Sequence, residues 1–346
     1  MADNGTPVGV SYVMPVLNEA EHVGAAVASL LAQDHPGEFE VVMALGPSTD
    51  ATDEVVARLV AADPRIRSVR NPGGSTPAGL NLAIRASRFP VIVRVDAHSA
   101  LPPQYTRTAV ETMERTGADN VGGVMDAQGV TPFERAVAVA YRSRIGLGGT
   151  RHHVGGREGP AETVYLGSFR RSSLIDAGLF DEGFKRGQDW ELNRRIRARG
   201  GLVWFTPALT VVYRPRASVL ALARQFFSTG VWRGELARRF PANNGLRYWL
   251  PPVALVLVAL GILAGALAGV LAGVWGAAWS WLLLGLAIPA GYLAAVLAAT
   301  VLARRDGPRT MAWLVVVLPV IHFCWGAGFI LGTTGLARNL EEFTGR

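Results

Sequence analysis

Two polar groups that could share a ligand, Asp96 and His98, stand near the end of the run VIVRVDAHSALPP (Val91–Pro103). Side chains at i and i+2 point to one face of an extended chain, so a carboxylate and an imidazole are expected to converge where this apolar run stops. The pair suits a divalent cation, with Asp96 as a hard oxygen ligand and His98 as a direct or outer partner, and a cation held there bridges a diphosphate. The same spacing also suits an Asx-turn with a hydrogen-bonded histidine. Spacing by itself leaves both readings open. Pro102 and Pro103 end the strand.

The elements around this run must place it at the rim of a sheet. VSYVMPV, EFEVVMAL, IRSVR and VIVRV read as strands, and EAEHVGAAVASLLAQ, TDEVVARLVAA and PAGLNLAIRAS between them as helices. Strands and helices that alternate through such short links imply βαβ units and a parallel sheet covered on both faces. Ligands of such sheets sit beyond the carboxyl ends of the strands. PVLNE after the first strand, GPSTD after the second and DAH after the fourth would all gather there. Beyond Pro103 the pattern loosens. The stretch LGGTRHHVGGREGPAE (147–162) is too polar and glycine-rich to pack and is expected as a mobile loop that closes over a ligand. Its adjacent His152 and His153 are poorly placed to share one ion.

Half of the 346 residues are hydrophobic, and the excess is concentrated after Tyr248. Three apolar blocks, Tyr248–Val270, Val274–Leu302 and Met311–Leu336, each exceed the roughly 20 residues that cross a bilayer core. Arg233, Arg238, Arg239 and Arg247 precede the first block, and Arg304, Arg305 and Arg309 lie between the second and third. The positive-inside rule then places the N-terminal region and the second link in the cytoplasm. The N-terminus has no basic stretch followed by an apolar core, so a secretory signal is not expected. Trp249, Trp275, Trp279 and Trp313 fall near the block ends, where aromatic belts form. Residues 216–246 mix Leu222, Phe226, Phe227 and Trp232 with arginines, as an amphipathic segment in the membrane interface would.

The net charge is +7, from 34 basic and 27 acidic residues. No nucleic-acid motif accompanies it, and attraction to anionic lipid headgroups accounts for it. The single cysteine, Cys324, excludes an intrachain disulfide and a cysteine-based zinc site. His322 is an ionisable group inside the third block. It is either a functional group or a neutral side chain hydrogen-bonded to a neighbouring helix.

PVLNE, GPSTDAT, DAH and GQDWEL occur in the order that marks the family 2 glycosyltransferases, and the chain resembles that family from about Val10 to Arg239. The stretches VRVDAHS, GLGGTR, TVYLGSFRR, DEGFKRGQDWELNRRIRARGG and YRPRASVLALARQFFSTGVWR, with the apolar blocks after them, resemble its membrane-anchored ExoA branch of succinoglycan glucosyltransferases. The resemblance implies an α/β GT-A (nucleotide-diphospho-sugar transferase) Rossmann-like domain over residues 1–215. The interface segment at 216–246, three transmembrane helices at 247–338 and a tail at 339–346 would follow.

It further implies an inverting hexosyltransferase of the inner (cytoplasmic) membrane, in cell-envelope or exopolysaccharide biosynthesis. Such an enzyme moves a sugar from a nucleotide-sugar to a polyprenyl-linked glycan with Mg²⁺ or Mn²⁺ as cofactor; nucleic acid is not among its partners, and an oligomer is left open. Pro15, Asn18, Glu19, Asp50, Asn81, Arg94 and Asp96 would serve the donor, and Asp96 and His98 the metal. Asp189 would be the general base, and Gln225, Trp232 and Arg233 would lie towards the acceptor and leaving diphosphate. Where many relatives carry an acid that reads the nucleobase or ribose this chain has Leu45, so the nucleotide is left unspecified. Asp189 could instead cap the helix after it. Three rival readings are a polyprenyl-phosphate sugar synthase, a processive synthase (for which QFFSTGVWR lacks the usual QxxRW run) and a non-catalytic, membrane-tethered nucleotide-sugar-binding partner.

Overall fold

A computed structural model of the chain describes residues 7–184, 187–241, 245–275 and 277–336. It divides into two compact units, one of residues 1–126 with 150–213 and one of 127–149 with 214–346. The sequence predicts one continuous domain over 1–215. The second unit, however, also takes in a segment from the middle of the chain. The tail expected at 339–346 lies outside the described residues.

The first unit opens with strand β1 (Val10–Val16), helix α1 (Val23–Leu31), β2 (Phe39–Leu45), α2 (Thr52–Ala62), β3 (Ile66–Arg70), α3 (Thr76–Ala86) and β4 (Val91–Arg94). After α4 (Tyr105–Thr116) and β5 (Asn120–Ala127) the chain leaves for α5 (Pro132–Arg142) and α6 (Arg144–Leu147), then returns through α7 (Arg151–Val154), β6 (Gly159–Pro160), β7 (Tyr165–Arg170), α8 (Arg171–Asp176), α9 (Gln188–Ala198) and β8 (Val203–Tyr213). One sheet runs β3-β2-β1-β4-β7-β5-β8-β6. The β1–β2, β1–β4 and β2–β3 pairs are parallel, as the βαβ alternation requires, whereas β7 runs antiparallel to both β4 and β5. Val10, Tyr12, Val13 and Met14 of β1 have no exposed surface, as expected of a strand covered on both faces. Burying one such side chain contributes about 1.5–3 kcal/mol, so β1 and β4 form a rigid base for the loops at their ends.

The glycine-rich stretch 147–162 contains short regular elements and makes specific contacts. The first residues of its return form α7, and Gly159–Pro160 pair with Trp204 and Phe205 of β8. Glu158 accepts from Arg115 and from Trp204 Nε1, the latter at 2.8 Å, and Arg151 Nη1 donates to the Pro160 carbonyl at 3.1 Å. Side chains from neighbouring elements supply the contacts that local composition lacks.

The second unit holds α5, α6, α10 (Val219–Arg239), α11 (Leu250–Trp275), α12 (Ala287–Leu302) and α13 (Pro308–Thr333). Three helical stretches here are long and apolar enough to cross a membrane: Leu246–Val274, Trp279–Leu302 and Pro308–Thr333. Of the apolar residues that the sequence assigns to the bilayer interface, Leu222 and Phe226 are buried and Phe227 and Trp232 half-buried; Val231 and Leu236 are buried too, and the helix lies along α13. Glycines account for the closeness. A Cβ on Gly230 or Gly234 would fall 2.1 or 2.2 Å from the carbonyls of Trp325 or Phe329, and one on Gly328 or Gly332 would fall 2.1 Å from those of Phe227 or Val231. Each helix therefore carries a small-xxx-small pair that brings the two backbones into contact.

Candidate active site

The first two loops at the sheet rim are tied together. Asn18 sits at φ 55°, a left-handed conformation that asparagine tolerates better than most residues. This turn lets its backbone N–H donate to Ser48 Oγ (3.1 Å) while its side-chain Oδ1 accepts from the Thr49 N–H (2.8 Å). Next to it, the Glu19 N–H donates to Thr52 Oγ1 (2.8 Å) and the Ala20 N–H to Asp50 Oδ2 (3.2 Å). The Thr52 hydroxyl in turn donates to Asp50 Oδ1 (2.5 Å), and this bond leads the interactions that hold the Asp50 carboxyl below its ordinary pKa. Asp50 and Asn18, expected on the donor, thus build the loops that would receive it. Ser48 and Thr52 share that work, and no periodicity in the sequence marked them.

The third loop follows β4. The β1–β4 ladder ends at Val13 opposite Arg94, and the Val95 N–H still donates to the Val13 carbonyl (3.0 Å). The chain then turns, with the Ser99 N–H donating to the Asp96 carbonyl (2.8 Å). Asp96 and His98 were expected to converge through extended i, i+2 geometry; the turn removes that geometry. The i, i+2 pair that does converge is Arg94 and Asp96, with Nη2 to Oδ1 at 3.1 Å. His98 instead places Nδ1 3.0 Å from Glu19 Oε1. Its ring is 44% exposed, whereas the Glu19 carboxylate is 8% exposed.

Asp189 reaches the same cluster from α9. That helix begins after Gly187, which takes the cap position at φ 72°, so Asp189 is not the cap but a first-turn residue, where the helix dipole favours negative charge. Its Oδ1 accepts from Arg94 Nη1. One guanidinium, 9% exposed, therefore joins two carboxylates that are 93 positions apart in the chain (189 minus 96) and 35% and 22% exposed. Burial works against the charge of Arg94. Asp189 first and then Asp96 outweigh it and raise its pKa, so the guanidinium stays protonated.

Behind α9, Glu191 accepts from Arg195 at 2.7–2.9 Å, and Arg195 also donates to the Leu179 carbonyl (2.6 Å). Asn81, expected on the donor, is buried and engaged elsewhere. Its Nδ2 donates to the Phe180 carbonyl and to Glu182, and its Oδ1 accepts from the Phe180 N–H, all at 2.9 Å. Asn81 thereby fixes the turn leading towards α9. Pro15, half-buried on β1 opposite Ala44, is a strand residue behind the loop. Tyr165 was not foreseen. It lies on β7 where the β5–β7 register shifts between Val121 and Gly123, and its neighbour Leu166 takes φ 43°, a strained value for leucine. Burial, then the charge of Asp96, keeps the Tyr165 phenol protonated.

Gln225, Trp232 and Arg233 are on α10, in the second unit. Gln225 Oε1 accepts from Arg216 (3.2 Å), and Arg233 is buried with its guanidinium 3.5 Å from the centre of the Tyr248 ring. His322 is bonded at both ring nitrogens, to the Tyr292 hydroxyl (2.9 Å) and the Ile145 carbonyl (2.7 Å). Both partners lie on other helices of the second unit.

A divalent cation fits the first unit's loops only with help from a ligand. Among the described residues no three His, Cys, Asp or Glu side chains gather to hold a metal alone. Asp96 and the exposed ring of His98 offer one or two donors beside an open rim. Mg²⁺-type sites commonly complete such a set with water and substrate phosphate oxygens.

Comparison with known proteins points one way. Residues 11–178 match the Glycosyl transferase family 2. The chain is 34% identical to the succinoglycan biosynthesis protein ExoA of Rhizobium meliloti (strain 1021), over 95% of its own length and 96% of that protein. It is 24% identical to a dolichyl N-acetyl-alpha-D-glucosaminyl phosphate 3-beta-D-2,3-diacetamido-2,3-dideoxy-beta-D-glucuronosyltransferase of Methanococcus voltae, over 73% of this chain and 81% of that one. Its fold matches a mannosyltransferase of Pyrobaculum calidifontis, solved in complex with GDP-Man and Mn²⁺, at a TM-score of 0.54 and 18% identity, covering 98% of this chain and 87% of the other.

Proposed function

This chain belongs to the family 2 glycosyltransferases and has their GT-A fold, and from that premise we propose that it transfers a sugar, with inversion, from a nucleotide-sugar to a lipid-linked saccharide at the cytoplasmic face of a membrane. The observation that carries the proposal is the Arg94 bridge, which puts Asp96, at the end of β4, and Asp189, at the start of α9, around one guanidinium. In a single displacement a hydroxyl attacks the anomeric carbon as the nucleoside diphosphate leaves. That chemistry needs positive charge where the diphosphate departs and a base on the attacking side. Asp96 and His98 are the side chains that would hold Mg²⁺ or Mn²⁺, whose charge would offset that of the diphosphate. Arg94 is a permanent cation beside them. Asp189 is the carboxylate for the acceptor proton, oriented by Arg94 and by its place in the first turn of α9.

The lipid-linked acceptor is supported by one relative, which is named for a dolichyl phosphate-linked sugar. The three apolar helices would keep the enzyme beside such an acceptor and raise its effective concentration, and the arginines between the second and third support a cytoplasmic side for that link.

A second reading draws on the same ion pair. A carboxylate bound to a buried arginine can instead be structural, and a lipid phosphate acceptor needs little base assistance. Turnover with a bare polyprenyl phosphate, compared with a polyprenyl diphosphate saccharide, separates the two. A screen of nucleotide-sugars with and without Mg²⁺ or Mn²⁺ tests the reading as a whole: metal-dependent binding of one donor, with transfer lost in Asp189→Asn, is expected. No donor bound under any metal would overturn it.

A further inference from the structure

The second unit contains a cavity that the sugar-transfer chemistry leaves unused. It measures about 450 Å³ and lies among α5, α6, α12, α13 and the link between the last two. Leu302, Leu314 and Leu318 supply its apolar wall, and Arg142, Arg144 and Asp306 its polar lining. Arg142 and Arg144 make no ion pair among the described residues. They flank Ser143, whose hydroxyl accepts from the Gly146 N–H (2.9 Å) and donates to the Ala140 carbonyl (3.2 Å). Hence the turn that presents both guanidinium groups is itself held. A second anchor fixes it to the helices: His322 of α13 donates from Nε2 to the carbonyl of Ile145, the next residue and part of the same lining.

The apolar wall is continuous with helix surface of the kind that faces lipid. Leu302 is 80% exposed at the end of α12, and Val301 and Leu297 beside it are also exposed. A ligand with a single apolar chain and a phosphate-bearing end would match both halves. Its chain would lie along Leu302, Leu314 and Leu318, and its charge beneath Arg142 and Arg144. Two guanidinium groups that line one cavity suit the multiple negative charge of a diphosphate. One acid, Asp306, offers an acceptor for sugar hydroxyls next to them.

We propose that this cavity is the docking site for the polyprenyl diphosphate end of the acceptor, with Arg142 and Arg144 on the diphosphate. The assignment rests on the reading that the acceptor is lipid-linked. It adds the surface that selects the carrier, at residues outside the proposed sugar-transfer site.

The test uses the full chain in nanodiscs of zwitterionic lipid, without a nucleotide-sugar, and displacement of a fluorescent long-chain polyprenyl diphosphate. The double variant Arg142→Gln/Arg144→Gln should weaken binding tenfold or more with thermal unfolding unchanged. Ala303→Trp, which fills the lining while keeping both arginines, should do the same. Inorganic pyrophosphate and phosphatidylglycerol should compete at least tenfold less well than unlabelled polyprenyl diphosphate. Wild-type affinity in both variants would overturn the assignment, as would equal competition by phosphatidylglycerol, which makes the site a general anionic-lipid surface, or by pyrophosphate, which makes it a site for free anions. Because no donor is present, a failure here leaves the sugar-transfer reading standing, and a failure of sugar transfer leaves this result intact.

Discussion

Arg94 and Asp189 form an ion pair between the last residue of β4 and the first turn of α9, and the other arm of the same guanidinium lies 3.1 Å from Asp96. The pair fixes the distance between the two acids that the proposed chemistry separates into ion-holding and proton-accepting roles. Arg94→Lys keeps a cation but loses the two-armed fork. Turnover should fall about 100-fold, the scale of a small misplacement of reacting groups, with donor affinity much less affected. Parallel kcat and donor-binding measurements check this; a variant with full kcat would mean that the bridge does not orient the acids.

Asp189→Asn preserves shape and removes the proton acceptor. Turnover on a hydroxyl acceptor should drop about 10²–10⁴-fold, the usual contribution of a positioned base, and donor binding should persist. Undiminished transfer would shift the balance to the lipid-phosphate reading, in which the pair is structural.

Removal of metal by a chelator should lower donor affinity in the wild type, and Asp96→Ala should make donor affinity indifferent to Mg²⁺ or Mn²⁺. His98→Ala should show a smaller loss, because its Nδ1 is directed to Glu19 and only the rest of the ring remains for an ion or a phosphate. Calorimetric titrations with and without cation read all three effects. Equal metal dependence in the wild type and Asp96→Ala would remove Asp96 from the site.

Much of this arrangement was legible in the sequence because it rests on short-range rules. Alternating strands and helices give a parallel sheet, and polar turns after β1, β2 and β4 must share its carboxyl edge. Three features depended on longer-range facts. The chain turns at Asp96, so the i, i+2 rule applies to Arg94–Asp96 and not to Asp96–His98. Asn81 has the composition of a ligand-binding residue, but its amide meets the backbone of Phe180, 99 positions away. The arginine-rich pattern of α10 reads as an interface helix in isolation. Only the matching glycines of α13, about a hundred residues later, show that its apolar face has a partner.

Those glycines make a stability prediction. A Cβ at Gly230 or Gly332 would meet backbone atoms at 2.1 Å, which cannot move aside as a side-chain tip can. Gly230→Ala and Gly332→Ala should each destabilise the second unit by about 1–3 kcal/mol, the range for overpacking. Substitution at Gly269, where nothing lies within 4 Å, should be near neutral. Thermal unfolding in detergent compares the three, and equal midpoints would show that α10 and α13 are not packed through these positions.

Glu40 sets how the first unit responds to acid. Its side chain has no exposed surface and accepts from Ser11 Oγ (2.8 Å), the Arg88 N–H (2.6 Å) and Arg67 Nη2 (2.6 Å). Burial pushes its pKa up, but the Arg88 N–H, Ser11 and Arg67 together outweigh that and hold it below the ordinary 4.5. A carboxyl with a lower pKa folded than unfolded binds its proton more readily when unfolded, so it adds stability that is complete above pH 4.5 and is lost as pH falls through the lower folded value. Glu40→Gln should therefore lower the unfolding midpoint at neutral pH and narrow its gap to the wild type as the medium is acidified below pH 4.5. If that gap stays constant down to the acid limit, the ionised form of Glu40 is not what joins β2 to β3 and to the turn before β4.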